Sequence, residues 1–154
     1  MKKYIYFLFA AALLILSAGC SKDDDGPAVI DSGIVGEWRQ TKWNNEAQAD
    51  FDIYIEFLSD GTFNIYQKVE TSAYMRYSGN FTIEGTRLSG RYNDGESWGA
   101  DYTFELSDNG KTLTMTSNTD TAVVSIYTKT SIPEEVRNAP EVRSALPGGF
   151  RRIL

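Results

Sequence analysis

Apolar residues recur on every second position through most of this chain. Phe51, Ile53, Ile55 and Phe57 share one side of a run, with Asp52, Tyr54 and Glu56 on the other. Phe63, Ile65 and Val69 are opposed by Thr62, Asn64, Tyr66 and Lys68, and Met75, Tyr77, Phe81 and Ile83 by Arg76, Asn80, Thr82 and Glu84. Leu88 and Tyr92 flank Gly90, and Trp98, Ala100, Tyr102, Phe104 and Leu106 oppose Asp101, Thr103 and Glu105. Leu113 and Met115 alternate with Thr112, Thr114 and Thr116, and Ala122, Val124 and Ile126 with Val123, Ser125 and Tyr127. A period of two is that of a strand with one face buried and one wet. A slip of one residue would turn the apolar face outward, so pairing is well specified. With the opening run Ile34–Trp43, the rhythm predicts eight strands between residues 34 and 130.

Turn signals separate the runs: Ser59-Asp60-Gly61, Gly85, Asn93-Asp94-Gly95 and Ser107-Asp108-Asn109-Gly110 among them. Asn, Asp and Gly tolerate the positive φ that tight hairpins require. Short links make chain neighbours antiparallel. Eight such strands close into an up-and-down β-barrel, which removes exposed edges. Gly79 and Gly90 interrupt two runs, where a bulge or sharp bend helps a sheet curl. The predicted fold class is therefore all-β, an eight-stranded antiparallel barrel over residues 34–130, followed by a short helical or disordered tail, 131–154. In that tail Ser131 is placed to cap a helix whose first turn holds Pro133 and two acids, with Val136 and Ala139 facing inward. Pro140 ends or kinks it. Phe150–Leu154, with two arginines among apolar residues, is either disordered, folded back on the acidic barrel, or docked on a partner.

The first 33 residues break the rhythm. Met1-Lys2-Lys3 is a basic start, and Tyr4–Leu16 is an apolar run of thirteen residues. That is short of the ~20 residues a bilayer span needs and fits the central region of a secretory signal. Leu16-Ser17-Ala18-Gly19-Cys20 resembles the lipobox of bacterial lipoproteins, with Ser17 where leucine is usual. The resemblance implies a signal peptide over 1–19 and acylation of Cys20, with palmitate-length chains holding the protein to the membrane. Residues 20–33 then form a flexible tether. Its Asp23-Asp24-Asp25 cluster is similar to the surface-export signal of certain Gram-negative lipoproteins, which implies an outer-membrane protein exposed at the cell surface. Those carboxylates repel anionic lipid, so anchoring rests on acyl chains, at ~0.8 kcal/mol per buried CH₂.

Composition removes several function classes. The net charge is −6, and −8 without Lys2 and Lys3. Such a surface repels phosphate backbones and argues against nucleic acid as a partner. There is no histidine, hence no imidazole base and no imidazole metal ligand. The one cysteine is the acylation candidate, so no metal site and no internal disulfide are expected. No nucleophile elbow, dinucleotide fingerprint or phosphate loop is present. No catalytic residue and no cofactor are predicted. Paired carboxylates, such as Asp101 with Glu105, have the chemistry for glycan hydrolysis, but they read better as the wet face of a strand.

Gly36-Glu37-Trp38, opening the first run, is similar to the G-x-W motif of lipocalins. Ala100-Asp101-Tyr102 is similar to their T-D-Y, with alanine in place of threonine. The stretch from Ile34 to Lys129 thus resembles the lipocalin-like domains of bacterial surface lipoproteins. The resemblance implies that Gly36 and Trp38 are structural, Trp38 plugging the closed end. It also implies a loop over Asn44–Asp50 beside the open end and a helix packed on the barrel after the last strand. Phe57, Phe63, Ile65, Phe81, Trp98, Tyr102 and Phe104 then face inward. Either they line a cavity for a small apolar or amphipathic ligand, or they simply fill a small barrel. In the second case the chain is an interaction module of a surface complex.

Overall fold

The computed structural model describes residues 30, 32–44, 46–47, 51–69, 71–143 and 152–154, with the side chains of Glu46, Ala47 and Phe51 excepted. The proposed signal, Cys20 and the acidic cluster lie outside the described residues. Strand β1 spans Gly36–Trp43, β2 Glu46–Ala47, β3 Phe51–Phe57, β4 Thr62–Val69, β5 Met75–Glu84, β6 Arg87–Tyr92, β7 Tyr102–Ser107, β8 Thr112–Ser117 and β9 Val124–Lys129. β2 is a two-residue ribbon on the end of β1. The other eight strands pair antiparallel in chain order, and β9 returns to β1, so the sheet is a closed up-and-down barrel. A bulge in β1 between Gln40 and Lys42 leaves Thr41 outside the β9 register, and its hydroxyl donates to the Ile126 carbonyl at 3.2 Å.

The alternation is realised as inward and outward faces. Ile53, Ile55, Phe57, Phe63, Ile65, Tyr77, Phe81, Leu88, Leu113 and Met115 all lie in one central cluster. One end of the barrel carries the tight turns at 58–61, 85–86 and 108–111, and here the incoming chain covers the floor. Ile34 is fully buried, and the Trp38 indole N–H donates to its carbonyl at 2.7 Å. The G-x-W geometry follows from that contact. Gly36 sits at φ +139°, and a Cβ there would lie 3.0 Å from the Lys129 stem. The Lys129 ammonium in turn reaches over the Trp38 ring, 5.2 Å from its centroid. The opposite end carries the longer connections and forms the mouth.

Four sequence expectations need correction. The run expected to open at Trp98 becomes β7, which begins at Tyr102. β6 and β7 pair only at Arg87↔Thr103 and Leu88↔Tyr102. Beyond that point Trp98 leaves the sheet and lies on Gly90, where a Cβ would come within 2.3 Å of its ring. Alternation cannot separate a strand from a coil that inserts one ring, because both place an apolar residue at the right spacing. Secondly, Tyr54 and Tyr66 are buried although they point out of the barrel. Ile132, Val136 and Ala139 cover them in a small outer cluster. Thirdly, Ser131 does not cap the helix. Helix α1 is the single turn Glu134–Arg137, Pro133 holds the cap position, and no side chain caps it. Fourthly, the last strand has the opposite parity: Ser125 and Tyr127 are buried inward, while Val124 and Ile126 are half-buried on the outer side and Ala122 is exposed. Apolar residues fall on both parities here, and pairing with the inward Leu113 and Met115 of β8 decides which face turns in.

The helix nevertheless docks as the family resemblance implied. Arg137 bridges Glu37 at 2.6 Å and Glu56 at 3.2 Å, and Glu37 also accepts the Ile132 N–H at 2.6 Å. The chain then reaches the upper end of β5, beyond the last β6 pair. There Arg76 N–H donates to the Pro140 carbonyl at 2.9 Å and Val142 N–H to the Arg76 carbonyl at 2.8 Å. The tail thus covers an edge that β6 leaves open.

Gly79 is the tightest backbone position. A Cβ there would lie 2.1 Å from the Arg91 carbonyl and 2.8 Å from the Phe63 ring. Gly79→Ala is expected to destabilise the barrel by about 3 kcal/mol, the upper part of the overpacking range, since a main-chain oxygen cannot step aside. Chemical denaturation reads this directly.

Candidate functional site

The interior is graded from apolar to polar. On the floor side, Phe57 meets Phe81 edge-on at 4.9 Å between centroids. Higher up, Phe63 stands edge-on to Trp98 at 5.1 Å and to Tyr92 at 5.7 Å; Trp98 continues to Tyr102 at 6.1 Å, and Tyr92 to Tyr77 at 6.3 Å. Such edge-on contacts satisfy the ring quadrupoles. Of the residues predicted to face a ligand, Phe57, Phe63, Ile65, Phe81, Trp98 and Tyr102 are buried in the central cluster, and Phe104 packs against it half-buried. The structure brings all seven together.

The mouth side carries groups that the alternation did not mark. Gln40, Gln67, Ser117 and Ser125 are each no more than 4% exposed. Gln40 pairs across the barrel seam with Tyr127, whose ring is fully buried. Ser117 is spoken for: its hydroxyl accepts the N–H groups of Thr119 and Asp120 at 3.2 Å and holds the β8–β9 turn. Gln40 differs. Its amide N–H reaches the Lys42 carbonyl at a long 3.4 Å, and its side-chain oxygen has no partner. The Tyr127 hydroxyl likewise has no hydrogen bond of ordinary geometry, although Ser125 lies beside it. A buried polar atom left unpaired costs ~1–3 kcal/mol. Burial pushes the Tyr127, Tyr92 and Tyr102 phenols above the ordinary tyrosine range, so they stay protonated and able to donate.

Residues Arg152–Leu154 sit in this mouth. Leu154 is 6% exposed and belongs to the central cluster, with Ile153 packed against it. The Tyr92 hydroxyl donates to the Leu154 carbonyl at 2.9 Å. The Arg152 guanidinium lies 4.3 Å from the Tyr92 centroid and 5.5 Å from that of Tyr77. It also forms a two-pronged ion pair with Asp94, one prong at 3.3 Å, which holds that carboxyl below the usual carboxylate range. Of the three outcomes open for Phe150–Leu154, the described residues take the fold-back. The loop expected beside this end, Asn44–Asp50, is described only at Asn44 and Glu46–Ala47.

The carboxylate pair does not face the interior. Asp101 is ion-paired with Arg87, and Glu105 is exposed on the outward side of β7. Asp101 instead borders an outer concavity of about 440 Å³, shared with Asn80, Thr82, Ser89, Arg91 and Ser97. Among the described residues no cluster of histidine, cysteine or carboxylates can hold a metal ion, and no helix is long and apolar enough to cross a membrane.

Signals for the mouth polar groups existed but were weak. Gln67 stands at the inward parity between Ile65 and Val69, and Gln40 two residues on from Trp38. Arg152 and Leu154 carried no periodic signal.

Comparison with known proteins bears on the fold. No curated protein matches the chain. Among solved structures it is similar to a lipocalin-like protein from Bacteroides uniformis, at 16% identity and TM-score 0.49, over 64% of this chain and 100% of that one. It is also similar to the lipoprotein YedD from Klebsiella pneumoniae, at 16% identity and TM-score 0.45, over 74% and 87%. The lipocalin-like domain matches residues 34–115, more than half of the sequence, and the chain belongs to that family.

Proposed function

We propose that this protein is held by acyl chains on Cys20 to the outer membrane, exposed at the cell surface, and binds a small apolar or amphipathic molecule inside its barrel without transforming it. The observation that carries the binding role is the polar ring above an apolar floor. Gln40 and Tyr127 hold unpaired polar atoms in a fully enclosed wall, an arrangement that weakens the fold unless something entering the mouth meets them. Ligand sites share this make-up, mostly apolar with a few placed polar groups. The lipocalin-like fold is in general a binding fold, in keeping with a non-catalytic role.

Gln40→Leu separates binding from packing. It removes the unpaired oxygen, so the fold is expected to gain about 1 kcal/mol, while retention of co-purified small molecules falls. If stability drops and retention is unchanged, Gln40 serves packing alone. A second reading, a filled barrel acting as an interaction module in a surface complex, draws on the continuous ring contacts from Tyr77 to Tyr102. It requires that no small molecule be retained by either form.

The anchor stands on sequence alone and has its own test. Cys20→Ser is expected to move the protein from the membrane pellet to the soluble fraction. A variant that stays with the membrane overturns the assignment.

A further inference from the structure

The segment Arg152–Leu154 meets the mouth through the Arg152 side chain, the Leu154 main-chain oxygen and its apolar body. The preceding stretch, Pro140–Val142, is held by backbone hydrogen bonds along β5. Arg152–Leu154 makes no strand pairing with the described residues. What holds it is a set of contacts that a free molecule can reproduce. A cation lies against two phenol rings and pairs with a carboxylate. An acceptor oxygen takes the Tyr92 hydroxyl. An apolar body enters the central cluster. The ion pair is well shielded, with the Arg152 side chain 16% and that of Asp94 12% exposed, so it is screened less than a surface pair.

We propose that the mouth is a site for an amphipathic cation, a positively charged head on an apolar body, and that Arg152–Leu154 occupies this site as an intramolecular stand-in which the ligand displaces. This rests on the reading that the barrel takes a small ligand, and adds its charge and its mode of entry. Tyr77 and Tyr92 provide the faces that a cation prefers, and Asp94 supplies the opposite charge. The negative net charge of the chain adds attraction at longer range. A tethered segment competes at a high effective concentration, so it sets a threshold that only a ligand matching both head and body passes.

The probes are octyltrimethylammonium, octanoate and octanol, titrated by calorimetry below their micelle concentrations into the intact mature chain, into R152A/L154A, and into each with Asp94→Asn added. R152A/L154A is expected to bind octyltrimethylammonium about tenfold more tightly than the intact chain does, because the competitor is weakened. It is expected to prefer that probe over octanoate by about tenfold, and Asp94→Asn to remove most of the preference. The intact chain should show the same order of probes with weaker binding, which keeps the test valid if the double variant folds poorly. Equal binding of all three probes, unmoved by Asp94→Asn, overturns the cation assignment and leaves the small-ligand reading standing. Equal cation affinity in the intact and double-variant chains, both folded by circular dichroism, overturns displacement. If no probe binds either folded chain, the cation assignment fails, and adducts on protein from its own host decide the broader reading separately.

Discussion

Trp38→Ala is expected to lower the free energy of unfolding by about 3–5 kcal/mol, the range for removing a fully buried large ring. The position concentrates several functions of the floor. The ring is inaccessible to solvent and is the largest fully buried side chain among the described residues. Its N–H satisfies the Ile34 carbonyl, which ties the incoming segment across the end of the barrel. Lys129 of the last strand lies over its face, so first and last strands meet at one ring. Urea denaturation should show the midpoint falling while the slope stays close to that of the parent, because the native state still buries the same chain. Trp38→Phe is the informative partner. It keeps an aromatic body but leaves the Ile34 carbonyl unpaired, and should cost less than the alanine. A change below about 1 kcal/mol for Trp38→Ala would mean that the floor is not closed by this residue.

Raising the pH past about 10, where tyrosines of an unfolded chain ionise, is expected to unfold the barrel in one transition. Tyr54, Tyr66, Tyr74, Tyr77, Tyr92, Tyr102 and Tyr127 all have acidities weakened first by burial. In Tyr74 the bond to Asp52, at 2.5 Å, adds to this by favouring the protonated phenol. The sign follows from proton counting. A raised native pKa means that the folded chain holds its phenolic protons at a pH where the unfolded chain has lost them. The stabilisation is therefore complete below pH ~10, and falls as the pH climbs through the native values. Tyrosinate absorbance near 295 nm and far-ultraviolet circular dichroism, followed together, should change over one pH interval for the buried set. Separate curves, with these phenols ionising while the strands persist, would contradict their burial.

The barrel was legible in the sequence because closure depends on parity and turns, and both leave a local record. Phe51 to Phe57 or Phe63 to Val69 states its inward face without reference to any neighbour. The G-x-W contact was legible by resemblance alone; that Gly36 makes room for Lys129 depends on a strand more than 90 residues away. The candidate site was legible only in its apolar half. Gln40 and Gln67 share the parity of their apolar neighbours, and a polar residue at an inward position looks the same in sequence as an irregularity. Ser125 and Tyr127 alternate with Val124 and Ile126, and only pairing with Leu113 and Met115 turns them inward. Tyr54 and Tyr66 look wet because their cover comes from Ile132 and Val136, brought there by the Glu37–Arg137 contact. Trp98 looks like a strand residue because Gly90, which seats it, lies in another run. Arg152 belongs to a segment with no rhythm at all. Its place is set by Tyr92 and Asp94, 58–62 residues earlier.

Native mass spectrometry of the protein isolated from the membranes of its own host tests the binding role most directly. The account predicts a folded species heavier than the acylated chain by a discrete small molecule, lost on denaturation and reduced by Gln40→Leu. A folded species with the mass of the acylated chain alone, in parent and variant alike, would contradict it.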